Sequence, residues 1–279
     1  MRYYIPIFIL MLALISCKSR HEAILFRYRS VKNVLYGTDS ANQTVDIYWH
    51  QKDSDTKHPV IVLIHGGGWY TGDKSNFDDL NIYNIFLQNG YVVLSMNYRL
   101  APMYKYPAPL DDIDSVMAMI NTNSKIYGID RNQVYLLGRS AGGHLALQYA
   151  YTRNKKKQIK GVIDFFGITD LTAREELGIQ LDTQIANFTG VPYTSAPDIW
   201  HQSSPIFHMD GAIPTYIVHG TNDVTVFPIQ SERLNDSLET HKIVHKYIQL
   251  EGANHTLPIP LWQTSVDMAC RWLRSYRSE

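Results

Sequence analysis

Between Gln133 and Ala150 a strand and a helix nearly touch along the chain, and that closeness constrains the fold more than any other feature. Val134 to Leu137 read as a buried strand, and His144 to Ala150 read as one face of a helix. Only Gly138, Arg139, Ser140, Ala141, Gly142 and Gly143 separate them. The segment from Gly138 to Gly142 matches G-x-S-x-G, in which the serine occupies a strained strand-to-helix corner. Side chains two positions before and two after the serine would strike the neighbouring strand and helix, so both positions are glycine. The corner holds the Ser140 hydroxyl out at the C-terminal edge of a sheet, at the positive end of a helix. A pentapeptide alone arises by chance; the strand before it and the helix after it give it weight.

The rest of the chain supplies such a sheet. Val31 to Leu35 and Thr44 to Trp49 read as two short strands around a Gly37 to Ser40 turn. Strand-like runs then alternate with helical ones: Val60 to His65, a helix from Asp79 to Leu87, Tyr91 to Tyr98, and a helix from Leu110 to Ile126. After the serine corner come Gly161 to Gly167, Thr215 to Gly220, a helix from Pro228 to Thr240, His245 to Leu250, and a last helix from Leu261 to Tyr276. Continuous apolar strands alternating with helices predict an α/β fold, a mostly parallel, doubly wound sheet covered on both faces. No linker breaks the pattern, so residues 31–279 read as one domain. Residues 168–211 depart from the rhythm, with several prolines and short helical stretches, and read as a partial lid over the ligand crevice at the strand ends.

A serine hydroxyl needs a base to become a nucleophile, and the base needs an acid to orient it. Of eleven histidines, His255 is best placed, in a loop just past the strand that ends at Leu250. His144 lies on the helix after the serine, and His65 and His219 end strands. Asp223 follows the preceding strand and falls on the same edge as His255; Asp170 is the rival. Three consecutive glycines, Gly66 to Gly68, directly follow a buried strand. The plainer reading is a flexible turn. The sharper one is a set of inward backbone N–H groups, Gly67 and Gly68 with Ala141, forming an oxyanion hole, with His65 bracing the loop. Trp69, Tyr70, Phe166 and Trp262 are candidates to line the substrate pocket.

At these residues the sequence resembles the α/β-hydrolase family, in its hormone-sensitive-lipase-like and bacterial carboxylesterase branch. His65 to Lys74 (HGGGWYTGDK), Asn97 to Pro102 (NYRLAP), Gly138 to His144 (GRSAGGH), His219 to Asp223 (HGTND) and Gly252 to His255 (GANH) stand in the family's order. The resemblance runs over about residues 44–276. The chain order Ser140, Asp223, His255 is that of the family's triad. It implies a serine esterase acting through an acyl-enzyme on small or aromatic acyl esters, including those decorating carbohydrate, with no metal and no organic cofactor. A peptidase or amidase on the same triad is the alternative, and a non-catalytic surface-binding domain a third reading. Two departures stand out. Arg139 precedes the serine where lipase-like members often carry Asp, and few residues precede the first strand. The second points to the shorter acetyl- and feruloyl-esterase-like members.

The N-terminus carries its own signal. Arg2, the apolar run Ile5 to Ile15 and the small-residue end Ser16-Cys17 have the layout of a secretory signal, too short to span a bilayer comfortably. Its end, LISC, resembles a bacterial lipobox. The expectation is a signal over residues 1–16, acylation of Cys17, and a tether over residues 17–30 that holds an exported lipoprotein to a membrane. Formal net charge is zero, so nothing global points to nucleic acid. Only Cys17 and Cys270 occur, which leaves no internal disulfide once Cys17 is acylated. Which acyl and alcohol groups are cleaved is not legible from the sequence.

Overall fold

The computed structural model of the chain describes residues 28–50, 56–177 and 181–277. The expected export signal and Cys17 lie outside the described residues. Strand β1 (Tyr28–Leu35) already begins inside the expected tether, because Tyr28, Arg29 and Ser30 pair with His50, Trp49 and Tyr48 of β2 (Thr44–His50). Their side chains are exposed, so no apolar pattern marks them in the sequence.

After β2 come β3 (His58–Ile64), α1 (Ile82–Gln88), β4 (Val92–Met96), α2 (Ala108–Tyr127), β5 (Ile129–Arg139), α3 (Ala141–Arg153) and β6 (Ile159–Phe165). Helices α4 (Leu181–Thr189) and α5 (Pro197–Gln202) lead to β7 (Thr215–Gly220), α6 (Ile229–Thr240), β8 (His245–Leu250) and α7 (Ile259–Arg277). The eight strands form one sheet in the order β1-β2-β4-β3-β5-β6-β7-β8. Strand β2 runs antiparallel to β1 and β4, and every pair from β4 to β8 is parallel. This is the α/β-hydrolase fold.

The centre of the sheet explains the unbroken apolar runs. Along β3, Val60, Val62 and Ile64 pack with Ile113 and Val116 of α2 and Leu145 of α3. The alternate residues Ile61 and Leu63 face the other way, onto Phe86 of α1 and Val266 and Leu273 of α7. With both faces covered, neither set of positions tolerates a polar side chain, and each such aliphatic contributes about 1.5–3 kcal/mol of burial.

Two elements differ from expectation. The single helix expected from Asp79 is instead a 3-10 turn over Lys74–Leu80, then Asn81 in the left-handed region (φ 55°), then α1. Strand β5 extends to Ile129, well before the apolar core at Val134, because polar Asp130 to Gln133 reach the solvent edge. The parallel strands β3, β5, β6, β7 and β8 end along one edge, and the loops after them carry His65, Ser140, Phe166, Asp223 and His255.

Candidate active site

Ser140 joins β5 directly to α3, with φ 53° and ψ −124°. A side chain is strained there, and the corner is held from both sides. The Ser140 N–H donates to the Phe165 carbonyl at 2.9 Å, and the His144 N–H donates to the Ser140 carbonyl at 3.0 Å. A Cβ on Gly138 would lie closer than 3.0 Å to the Gly142 backbone, and one on Gly142 closer than that to the Ile64 and His65 carbonyls. Both glycines are therefore required by close approach.

The structure brings Ser140, His255 and Asp223 together. His255 Nε2 lies 3.0 Å from Ser140 Oγ, and His255 Nδ1 lies 2.6 Å from Asp223 Oδ2. A carboxylate only accepts, so Nδ1 carries its proton toward Asp223 and Nε2 presents a lone pair to the serine hydroxyl. Asp223 is buried. Its Oδ1 accepts from the N–H groups of Thr225 and Val226 at 2.9 and 3.0 Å. Burial alone would raise the Asp223 carboxyl. Hydrogen bonds from His219, His255 and the Val226 N–H outweigh it and hold the group far below the usual carboxylate range. Phe166 packs its ring 4.6 Å from the His255 ring. Asp170, the rival acid, lies elsewhere, 3.4 Å from Arg233 and bonded to Thr172.

Beside the serine, the loop after β3 turns sharply. Gly67 (φ 118°) and Gly68 (φ 59°) lie in the left-handed region that favours glycine. The Gly67 carbonyl accepts from Tyr70 and Thr71 at 3.2 and 3.1 Å, which closes the turn. Among the described residues, the N–H groups of Gly67, Gly68 and Ala141 donate to no protein acceptor outside a helix. His65 braces this loop. Its Nδ1 donates to the Gly66 carbonyl at 2.7 Å, and its ring stacks on Tyr98 at 4.3 Å. Burial pulls its pKa down to about 4, so the ring stays neutral.

The cleft over Ser140 has a volume of about 540 Å³, and Tyr70, Phe166 and Trp262 line it together with Gly67, Gly68 and His255. Trp69 does not. The expectation that it lines the pocket is corrected: the indole is 0% exposed, stacks on Phe188 at 4.7 Å, and donates to His144 Nδ1 at 3.2 Å. A left-handed φ of 63° at Trp69 turns the side chain into the core, while its neighbour Tyr70 stays 49% exposed. His144 in turn reaches the Ser203 carbonyl at 2.6 Å, so one buried histidine ties the glycine loop to the 168–211 segment.

That segment also supplies wall residues the sequence reading missed. Ile168, Leu181 and Gln184 face the cleft, and Leu177, Ile185, Phe188 and Trp200 are buried; Ile179 lies outside the described residues. A Cβ on Gly68 would strike the Gln184 side chain, so α4 packs directly on the glycine loop. The amphipathic spacing of Leu181, Ile185 and Phe188 was the available signal. Arg139 and Thr225 also line the cleft, and their positions beside Ser140 and Asp223 were the clue to them.

Behind the corner sits a carboxyl the triad does not use. Asp164 of β6 is fully buried against Gly143 and Gly167, its Oδ1 accepts from the Gly167 N–H at 3.1 Å, and its Oδ2 has no hydrogen-bond partner. Burial raises its pKa to about 8. An unfolded aspartate titrates near ~3.9. Between these values the folded state keeps a proton that the unfolded chain releases, so stability falls as pH rises through the window. Asp164→Asn removes that slope. Urea unfolding is expected to show the variant gaining on the order of 2 kcal/mol or more over wild type between pH 5 and pH 8. An equal difference at both pH values would show that Asp164 is ionised in the fold.

Comparison with known proteins places the chain in a group. The family model BD-FAE matches residues 45–238. Esterase LipC of Mycobacterium tuberculosis is 29% identical over 248 residues, covering 82% of this chain and 60% of its own length. The chain thus spans about half to three-fifths of the length of the curated relatives it matches. Among solved structures, a truncated carbohydrate esterase from gut microbiota superposes with a TM-score of 0.77 at 19% identity, covering 90% of this chain and 97% of that one. A bifunctional GH43-CE protein of Bacteroides eggerthii gives 0.79 at 21% identity, covering 88% of this chain and 38% of that one. At such identities the superpositions establish the shared fold.

Proposed function

This chain belongs to the BD-FAE family, and on that premise we propose that it is a serine carboxylic-ester hydrolase working through an acyl-enzyme. One observation carries the reading. A serine hydroxyl, an imidazole and a buried carboxylate stand in hydrogen-bonded series, at 3.0 and 2.6 Å, beside N–H groups with no protein acceptor.

His255 Nε2 takes the Ser140 proton as Oγ bonds to the ester carbonyl carbon, and the carbonyl π electrons move onto oxygen. The N–H groups of Gly67, Gly68 and Ala141 receive that oxyanion, each such donor stabilising it by roughly 3–4 kcal/mol. The carbon–alkoxide bond then breaks, and the leaving alkoxide takes the proton from His255. Water repeats the sequence on the acyl-enzyme, His255 accepting its proton and returning it to Ser140. Asp223 keeps the imidazole in the tautomer both halves need.

Small or aromatic acyl esters, including those on carbohydrate, are the proposed substrates. The aromatic walls Tyr70, Phe166 and Trp262 support the first part, and a solved structure of the same fold, described as a carbohydrate esterase, supports the second. A fluorophosphonate probe tests the chemistry: one equivalent of label is expected on Ser140, with aryl acetates cleaved far faster than the matching anilides. Labelling at another residue, or anilides cleaved as fast as esters, would replace this reading with another.

A further inference from the structure

One charged group in the cleft has no part in that chemistry. Arg139, immediately before Ser140, lines the cleft beside Gly66, Asn76 and Trp262. Its guanidinium lies over the Phe77 ring at 5.5 Å and over the Trp262 ring at 6.0 Å. Both rings are buried, so the head group rests on fixed surfaces. Among the described residues it makes no ion pair, and none of its five N–H donors meets an acceptor. Asp73, whose charge opposes that of Arg139 at the neighbouring His65, is already engaged by Ser75 and Asn97. Among the described residues, no aspartate or glutamate lines the cleft. Burial draws the arginine's pKa down from its ordinary value, yet a guanidinium stays charged throughout the working range.

A half-buried cation that meets no counter-charge among the described residues is a standing electrostatic cost. A ligand carboxylate would relieve it, because the planar fork donates two parallel hydrogen bonds to a carboxylate. We infer that Arg139 forms a subsite for a carboxylate carried by the substrate, so that the protein prefers esters bearing a free acid over neutral esters of the same shape. Half-esters of dicarboxylic acids and acylated uronic acids have that chemistry. The inference rests on the ester-hydrolase reading.

Two substrate pairs test it: 4-carboxyphenyl acetate against its carboxamide, and the 4-nitrophenyl monoester of adipic acid against its terminal amide. The first places the charge on the leaving group and the second on the acyl group, so the pair that responds says which side Arg139 faces. At low ionic strength the anionic-to-neutral ratio of kcat/KM is expected to be at least about tenfold in one pair, a difference of about 1.4 kcal/mol. It is expected to shrink in high salt, to approach one in Arg139→Gln, and to survive in part in Arg139→Lys. A wild-type ratio near one in both pairs, or a preference that persists in Arg139→Gln, overturns the subsite while leaving ester hydrolysis standing. If no ester is cleaved, hydrolysis fails and the subsite is read by calorimetry on Ser140→Ala protein. There 4-carboxyphenyl acetate should bind at least about ten times more weakly once Arg139→Gln is added, and equal binding overturns it.

Discussion

Ser140→Ala is expected to lower kcat/KM for an aryl acetate by at least about 10³-fold while leaving the protein folded. The two halves have different causes. Oγ is the atom that forms the acyl bond, and no neighbouring group replaces it; residual turnover comes from water attacking an ester polarised by the Gly67, Gly68 and Ala141 N–H groups. Stability hardly changes, because Oγ makes a single hydrogen bond, to His255 Nε2, in a cleft where water can take its place. The corner itself depends on the Ser140 backbone, which alanine keeps: the N–H to Phe165 and the carbonyl from His144 remain. Steady-state kinetics beside a thermal melt separate the two effects. A variant that keeps more than a tenth of wild-type activity would remove Ser140 from the chemistry, and a large fall in melting temperature would mean that the hydroxyl is structural.

The sequence carried most of this arrangement because its signals are local. Strands β7 and β8 have the expected bounds, each ending where a turn sequence begins, at Thr221-Asn222-Asp223 and at Glu251-Gly252. Ser140 announced itself through the glycines its corner demands. His255 and Asp223 followed from counting loops at one sheet edge. What stayed hidden depends on distant partners or on backbone conformation. Trp69, beside three glycines, looks like a cleft wall, yet its indole is oriented by Phe188 and by His144, the latter 75 residues away. Nothing local marks the left-handed turn that sends it inward. The polar stretch Asp130 to Gln133 of β5 and the exposed start of β1 lack apolar periodicity because neither is fully buried. Arg139 could be noted as unusual, but only the fold reveals that no acid among the described residues meets it.

The second large effect is expected at Gly142. Gly142→Ala adds one methyl group, and its Cβ would fall closer than 3.0 Å to the carbonyl oxygens of both Ile64 and His65. Neither can yield easily. Ile64 ends the central strand, paired with Met96 on one side and Gly138 on the other. The His65 carbonyl accepts the Tyr98 hydroxyl at 3.1 Å. The clash is backbone against backbone, so no rotamer relieves it; α3 must move away from β3. That displaces the Ala141 N–H and Ser140 Oγ from the Gly67 and Gly68 N–H groups on the other side of the gap. Overpacking costs about 1–3 kcal/mol where side chains can adjust, so about 3 kcal/mol or more is expected where they cannot. An ångström of misplacement at the reacting atoms is worth about 10² in rate. Gly90→Ala is the control. Unlike Gly142 it has a left-handed φ, 83°, but no atom lies within 4 Å of the new Cβ, so it should cost only about 1–2 kcal/mol of backbone strain and leave activity intact. Urea unfolding and kcat/KM on both variants decide the matter. If Gly142→Ala matches Gly90→Ala in both, the close approach of α3 to β3 is not what positions the nucleophile.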